Sequence, residues 1–377
     1  MVGGLFDFIR THYYKVLLVL LFACVATEYL FNVIYESIPP SRPDPYFSYN
    51  LTRSVEVYFK GNVSMVNSTA VPLNFSATTL ADFARENSTS SSMALTLNES
   101  LSISANISND PSLCPLISPF LVGRSAVKKT APPMDELERL ITNVNPGGCY
   151  RPLYCTARHR VAIVIPYRNR EEHLRVFLEN MHPFLQRQQL DYGIFVVEQA
   201  GTGKFNRAML MNIGAAEALK SYDYQCLIFH DVDLVPEDDT NLYSCPEQPR
   251  HMSVAIDVFQ YKLPYETIFG GVSAMSKSHF EQVNGFSNLF WGWGGEDDDM
   301  SNRIRHNKLV ISRYPANVAR YSMLTHKKAS PNPERYKYLK TGLKRANSDG
   351  LNSLKYKRLD LVLKRLYTWI LVEIKPP

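Results

Sequence analysis

Val161-Ala-Ile-Val-Ile165 is a short run of apolar, mostly β-branched residues stopped by Pro166. From Glu171 to Gln189 the apolar residues then recur at Leu174, Phe177, Leu178, Met181 and Leu185. The first stretch reads as a buried strand and the second as a helix with one apolar face. The cycle repeats with a strand at residues 192–197, a helix over 206–220 and a strand at Cys226-Leu-Ile-Phe229, each strand followed by a polar or glycine-containing loop. Such alternation predicts an α/β fold with parallel strands, in which ligands bind just beyond the carboxyl ends of the strands.

Outward from this core the chain changes character. The 377 residues are 45% hydrophobic and 20% charged with a net charge of +5, which excludes a disordered, collagenous or disulfide-dense protein. The small basic excess concentrates between Lys327 and Arg365 and reads as solvated surface, with no nucleic-acid partner implied. Residues 16–26 are almost uniformly apolar, residues 29–35 continue the run, and Arg10, His12 and Lys15 precede it. Together they predict a transmembrane signal anchor over residues 13–35 behind a cytoplasmic tail at 1–12. A cleaved signal peptide is the competing reading, since Cys24-Val25-Ala26 offers small residues for a peptidase.

Residues 36–112 form a Pro-, Ser-, Thr- and Asn-rich stem that cannot build a core. Its N-x-S/T sequons at Asn50, Asn62, Asn67, Asn74, Asn87, Asn98 and Asn106 have no counterpart downstream, which predicts a glycosylated stem in a secretory lumen. Cys24 belongs to the apolar segment, leaving Cys114, Cys149, Cys155, Cys226 and Cys245. With no CxxC pair among them, disulfides are expected, and an odd number leaves a free thiol or an intermolecular bridge.

The strand ends of the region 113–377 carry the chemistry. After the first strand, Pro166-Tyr-Arg168-Asn-Arg170 places two guanidinium groups at a helix start, a combination suited to phosphate, although the same arginines would pair with Glu171 and Glu172 on a plain surface. Gly201-Thr-Gly203-Lys204 fails as a nucleotide P-loop, because Glu198 stands where the first glycine is required and no Ser or Thr follows the lysine. After the third strand, strand alternation predicts Asp231 and Asp233 on one side, a hard oxygen site for Mn²⁺ or Mg²⁺ that would neutralise a diphosphate.

Trp291-Gly-Trp293-Gly294-Gly295-Glu296-Asp297-Asp298-Asp299 is the second cluster. Acidic residues suit a helix N-terminus. The tryptophans and glycines ahead of them suit a loop whose aromatic face stacks on a sugar while carboxylates bind its hydroxyls or take a proton. Met323-Leu-Thr-His326 adds a thioether and an imidazole three residues apart, expected on one side of a turn or helix.

Residues 166–170, Phe205-Asn-Arg207, the Asp231 and Asp233 pair, Phe269-Gly-Gly-Val272, residues 291–299 and Met323 with His326 together resemble the β-1,4-galactosyltransferase family over roughly the last 265 residues. The resemblance implies a GT-A fold with a mixed, largely parallel central sheet, Mn²⁺ as cofactor and a UDP-sugar donor, in a single-pass type II Golgi membrane protein. It implies Asp233, Met323 and His326 as metal ligands, and Pro166, Arg168, Arg170, Phe205, Arg207, Asp231 and Val232 around the UDP portion. Trp293 would lie on a loop closing over the donor, Glu296 would serve sugars at the reaction centre, and Asp297 would be the catalytic base. Tyr265, Gly294, Gly295, Asp297 and Asp298 would hold the acceptor. Disulfides Cys114–Cys155 and Cys226–Cys245 are implied, which leaves Cys149 unpaired.

Two departures from the family pattern stand out. Ile268 replaces the large aromatic residue of galactose-preferring members, leaving room for an N-acetyl group at the sugar's C2. The donor expected is therefore UDP-GalNAc, transferred in β-1,4 linkage to a terminal GlcNAc of a glycoprotein or glycolipid by an invertebrate-type β-1,4-N-acetylgalactosaminyltransferase. The alternatives are UDP-Gal as donor on the same acceptor and a membrane-tethered carbohydrate-binding protein without turnover. Val258 stands where vertebrate members carry a basic residue near the donor phosphates. An accessory membrane protein is an open alternative among the chain's partners.

Overall fold

The computed structural model describes residues 112–327 and 329–376. The expected cytoplasmic tail and membrane anchor, the sequons and all but the last residue of the stem lie outside the described residues. Among the described residues no helix is long and apolar enough to cross a membrane.

A short helix α1 (Met134–Leu140) precedes the alternating core of β1 (Arg160–Tyr167), α2 (Glu171–Arg187), β2 (Asp191–Gln199), α3 (Arg207–Ser221) and β3 (Cys226–His230). Side chains of β1 alternate between two layers. Val161, Ile163 and Ile165 pack with Leu174, Phe177, Leu178, Met181 and Leu185 of α2, while Ala162 and Val164 pack with α3. A strand covered on both faces needs apolar residues at every position, which is why this one reads as an unbroken hydrophobic run. Each fully buried Val or Ile contributes roughly 1.5–3 kcal/mol of transfer free energy. Gly214 of α3 lets the helix approach the sheet, since a Cβ there would meet the Val197 side chain at 2.8 Å.

Pro166 does not stop the strand. β1 continues to Tyr167, paired in parallel with β2 as far as Tyr167↔Glu198, whereas its ladder with β3 ends at Val164↔Phe229. The proline thus lies where only one neighbour remains, and its missing N–H costs the sheet little.

The sheet order is β5-β7-β3-β1-β2-β10-β9, built with β5 (Arg250–His251), β7 (Val272–Ser276), β9 (Lys357–Leu363) and β10 (Thr368–Glu373). Only the middle is parallel: β3–β1, β1–β2 and β2–β10 run together, while β5–β7, β7–β3 and β10–β9 are antiparallel. The expected mixed sheet is found, but only three of its six pairings are parallel, so its parallel character is confined to the middle. The alternating strand–helix segments end at β3, and the later strands return through loops or a hairpin instead of helical crossovers.

A second sheet, β4-β8-β6, joins β4 (Leu234–Pro236), β6 (Ala255–Ile256) and β8 (Arg320–Met323) beside the end of β3. α4 (Lys277–Gln282), α5 (Glu296–His306) and α6 (Arg335–Arg345) complete the fold. Disulfides join Cys114 to Cys155 and Cys226 to Cys245, and Cys149 is a free, half-buried thiol.

Candidate active site

The site forms where β1, β2 and β3 end. Asn206, fully buried, caps α3 by accepting the Met209 N–H at 2.9 Å, and its own amide donates to the Asn288 carbonyl at 2.8 Å. This cap starts the helix at Arg207 and aims that arginine across the strand ends. Its Nε lies 2.6 Å from Asp231 Oδ1 and Nη1 3.3 Å from Glu296 Oε1, while Nη2 donates to the Gly271 carbonyl at 3.3 Å. Burial alone would lower its pKa, but Asp231 and then Glu296 more than offset that and hold the guanidinium firmly charged. Arg207, expected on the donor, is thereby engaged with protein groups at all three nitrogens.

Asp231 and Asp233 do not share a strand face. β3 ends at His230 and β4 begins at Leu234, so the two carboxylates lie on a turn closed by the Leu234 N–H donating to the Asp231 carbonyl at 3.3 Å. Alternation does not apply across a turn. Asp231 is taken by Arg207, whereas Asp233 Oδ2 lies 2.9 Å from His326 Nδ1. Burial first, and then the Asp231 charge, raise the Asp233 carboxyl to about 6. Val232 between them is buried.

The β4–β8 register places Leu234 opposite Met323, and the Leu324 N–H donates to the Asp233 carbonyl at 2.7 Å. Strand pairing therefore brings Met323 and His326 to Asp233. The two residues are not on one helix or turn as their spacing suggested, because Met323 ends a strand and His326 follows it in a loop.

Arg168 caps the loop after β2 from the side. Its Nη1 donates to the carbonyls of Gly203 at 2.7 Å and Gly201 at 3.4 Å, and its guanidinium lies 5.2 Å from the Phe205 ring centre. That loop turns carbonyls toward an arginine, the opposite of a phosphate cradle. Arg170 precedes α2 and is close enough to Asp233 to oppose the rise of its pKa.

Gly295, at φ 95°, begins α5, and Glu296, Asp297, Asp298 and Asp299 fill its first turn. Gly292 and Gly294 also have positive φ, at 92° and 99°, conformations open to glycine at no steric cost. The helical turn divides the acidic run. Asp299 points into the core against Arg303 at 2.7 Å, both side chains fully buried. Asp298 accepts from the Tyr265 hydroxyl at 3.0 Å. Glu296 is buried, with one oxygen on Arg207 and Oε2 unpartnered.

Asp297 packs against the backbone of Gly270 and is pushed up to about 7, by burial first and then by Glu296 and Asp298. A carboxyl near neutrality is suited to proton transfer at physiological pH. Trp293 is 58% exposed, with its ring 5.9 Å from the Arg335 guanidinium, and its backbone carbonyl accepts the Asn332 N–H at 3.0 Å. Ile268 is half-buried on the segment joining Tyr265 to Gly270, and Val258 is exposed.

Two family models match this chain: the N-terminal region of glycosyl transferase group 7 over residues 114–246 and the N-terminal domain of galactosyltransferase over residues 250–327. β-1,4-Galactosyltransferase 1 of Mus musculus is 52% identical over 268 residues, covering 70% of this chain and 67% of that protein. The chain belongs to the β-1,4-galactosyltransferase family. β-1,4-Galactosyltransferase 3 of Cricetulus griseus is 49% identical over 266 residues, covering 69% and 67%. A crystal structure of Drosophila β-1,4-galactosyltransferase 7 with manganese, UDP-Gal and xylobiose superposes with a TM-score of 0.51 at 31% identity, covering 58% of this chain and 95% of that one. The fold is thus of the GT-A type. Membership carries the coarse activity as well, inverting transfer of a hexose in β-1,4 linkage.

Within this family framework, three buried polar groups escaped the reading of the sequence. Gln199 receives the Asn206 N–H at 2.9 Å and donates to the Lys204 carbonyl at 2.8 Å, so it spans the loop before α3. Asn288 ties Asn212 to the Gly350 carbonyl. His251 is buried beneath Gly270, whose carbonyl lies 3.1 Å from Nε2. A single Gln, Asn or His has no periodicity, so only the fold reveals its partners.

Proposed function

We propose that this chain transfers N-acetylgalactosamine from UDP-GalNAc to O4 of a terminal GlcNAc, with Mn²⁺ bound by Asp233, Met323 and His326. The observation that carries the reading is Gly270 against the Asp297 carboxylate: the segment bearing Ile268 and the group best poised as base form one wall. In this mechanism Asp297 accepts the O4 proton, while Tyr265, Gly294, Gly295 and Asp298 orient the acceptor. The hydroxyl then attacks the anomeric carbon directly, and the α-linked donor gives a β-linked product.

The metal fits the residues present. Asp233 and His326 supply a carboxylate and an imidazole within 2.9 Å of each other, and Met323 adds a thioether across the β4–β8 pair. Among the described residues no three His, Cys, Asp or Glu side chains gather at one point, so the ligand set rests on Asp233, His326 and the Met323 thioether. Bound there, Mn²⁺ would neutralise the departing UDP. Pro166, Arg168, Arg170, Phe205, Asp231 and Val232 would line the UDP pocket. Arg207 would act chiefly by holding Asp231 and Glu296.

Ile268 is shorter than an aromatic residue and leaves space for the N-acetyl group. Galactose transfer is the second reading, favoured by relatives that carry the galactosyltransferase name and by UDP-Gal in the Drosophila structure. We further assign the enzyme to the Golgi membrane as a single-pass type II protein with a glycosylated stem, acting on glycoprotein or glycolipid acceptors.

Competition between UDP-GalNAc and UDP-Gal on a GlcNAc acceptor tests the donor. Preference for UDP-GalNAc, shifted toward UDP-Gal by Ile268→Tyr, is expected; faster galactose transfer by the parent protein would overturn it.

A further inference from the structure

We infer that Arg313 is a positioning residue for donor discrimination, acting through the backbone of residues 266–270 and through His251. One Arg313 nitrogen, Nη2, donates to the carbonyls of Glu266 at 2.7 Å and Ile268 at 2.8 Å. Its Nε lies 3.2 Å from His251 Nδ1, and His251 Nε2 lies 3.1 Å from the Gly270 carbonyl. The alternate carbonyls of residues 266, 268 and 270 are therefore gripped by a single arginine–histidine unit supplied by other parts of the chain.

The proton count along this unit is determined. Arg313 can only donate, so His251 Nδ1 must accept and Nε2 must carry the proton given to Gly270. A neutral imidazole satisfies both bonds, and His251 is fully buried where charging it would be costly. Ser253 completes the anchorage: its hydroxyl donates to the Gly270 carbonyl at 3.1 Å and accepts the Val272 N–H at 2.9 Å.

What this unit holds is the wall of the site. At one end Tyr265 reaches Asp298, at the other Gly270 lies against Asp297, and Ile268 sits between them. A shift of the Ile268 carbonyl moves its side chain relative to Asp297, so the space beside the donor's C2 depends on the Arg313 fork as well as on the size of residue 268. A lysine's single ammonium nitrogen could meet the two carbonyls that share Nη2, but it has no second nitrogen to hold the imidazole that Nε contacts. This inference rests on the transferase reading, but not on which sugar the parent prefers.

The test compares full-length parent, Arg313→Lys and Arg313→Gln proteins, each checked for an unchanged thermal midpoint and for Mn²⁺-dependent UDP binding. The quantity read is the ratio of kcat/KM for UDP-GalNAc to that for UDP-Gal. A change of that ratio by tenfold or more in Arg313→Lys, in either direction, with UDP affinity within twofold of the parent, is the expected result. Addition of guanidinium ion to an Arg313→Ala protein should move the ratio back toward the parent value, which also covers the case in which the Lys and Gln proteins do not fold. Equal losses for both donors, or an unchanged ratio, would overturn the assignment. A parent that prefers UDP-Gal would sink the donor proposal above and leave the Arg313 result readable.

Discussion

The Cα of Gly270 faces the Asp297 carboxylate so closely that an added Cβ would stand 2.5 Å from Oδ2. Side chains do not approach at that distance, so Gly270→Ala must displace Asp297 or the segment carrying Ile268. Loss of at least ~100-fold in kcat is expected, since displacement of a reacting group by about 1 Å costs that much. Gly203→Ala is the control, because a Cβ there meets nothing within 4 Å. Steady-state rates for both variants check this, and near-parent activity of Gly270→Ala would show that Asp297 can shift without consequence.

The raised pKa of Asp297 links activity and stability in opposite senses. As a base it must be ionised, so kcat/KM should climb about tenfold per pH unit below its folded pKa of about 7 and then level. For stability, the folded state holds the proton more tightly than the unfolded chain. Its contribution is therefore fully present below the unfolded pKa, ~3.9, and lost as pH rises through about 7. Asp297→Asn removes that loss. It should cost ~10²–10⁴-fold in turnover while raising the thermal midpoint at pH 8, with the gain shrinking toward pH 5. Rate–pH profiles and melting scans check both halves, and a variant no more stable than the parent at pH 8 would contradict the stability half.

How far the site was legible depended on the kind of signal. The strands through Ile163, Phe195 and Ile228 and the helices packed on them were visible because burial on two faces, or on one, writes a period into the chain. The acidic run at residues 296–299 was visible by composition, but its division was not, because a helical turn sends Asp299 inward and leaves its neighbours at the site. Asp231 and Asp233 depart from the expected shared face for a related reason: a two-residue period does not extend beyond His230, where the strand ends. The meeting of Asp233 with His326, and of Arg313 with Ile268, is set by pairing between distant segments and leaves no local trace.

Asp299 thereby separates from the acidic residues around it. Its carboxylate and the Arg303 guanidinium are both fully inaccessible and 2.7 Å apart, with Asp349 3.6 Å from the same guanidinium. Removing one partner strands the other in the interior, at a cost of about 3–5 kcal/mol. Arg303→Met should lower the thermal midpoint by roughly 10 °C while the folded fraction keeps its kcat. Asp298→Ala, at a half-exposed position, should do the reverse, with little change in melting and a raised acceptor KM through its lost bond to Tyr265. Calorimetry beside acceptor kinetics distinguishes them.

His326 gives the metal reading its sharpest test, because His173 lies beside it as an internal comparison. His173 makes an edge-on ring contact with His326 at 6.4 Å, and its Nε2 bonds to the Thr325 carbonyl at 3.2 Å, so it steadies the loop without reaching Asp233. Chelation should abolish transfer, and added Mn²⁺ should restore it. His326→Ala should then raise the Mn²⁺ concentration needed for half-maximal rate by at least ~10-fold, while His173→Ala, removing only a support, should have a smaller effect. Donor KM at saturating Mn²⁺ should move little in His173→Ala. If the two variants showed equal metal requirements, the Asp233–His326 contact would be an ordinary hydrogen bond of the fold, and the ion would have to be held elsewhere along the strand ends.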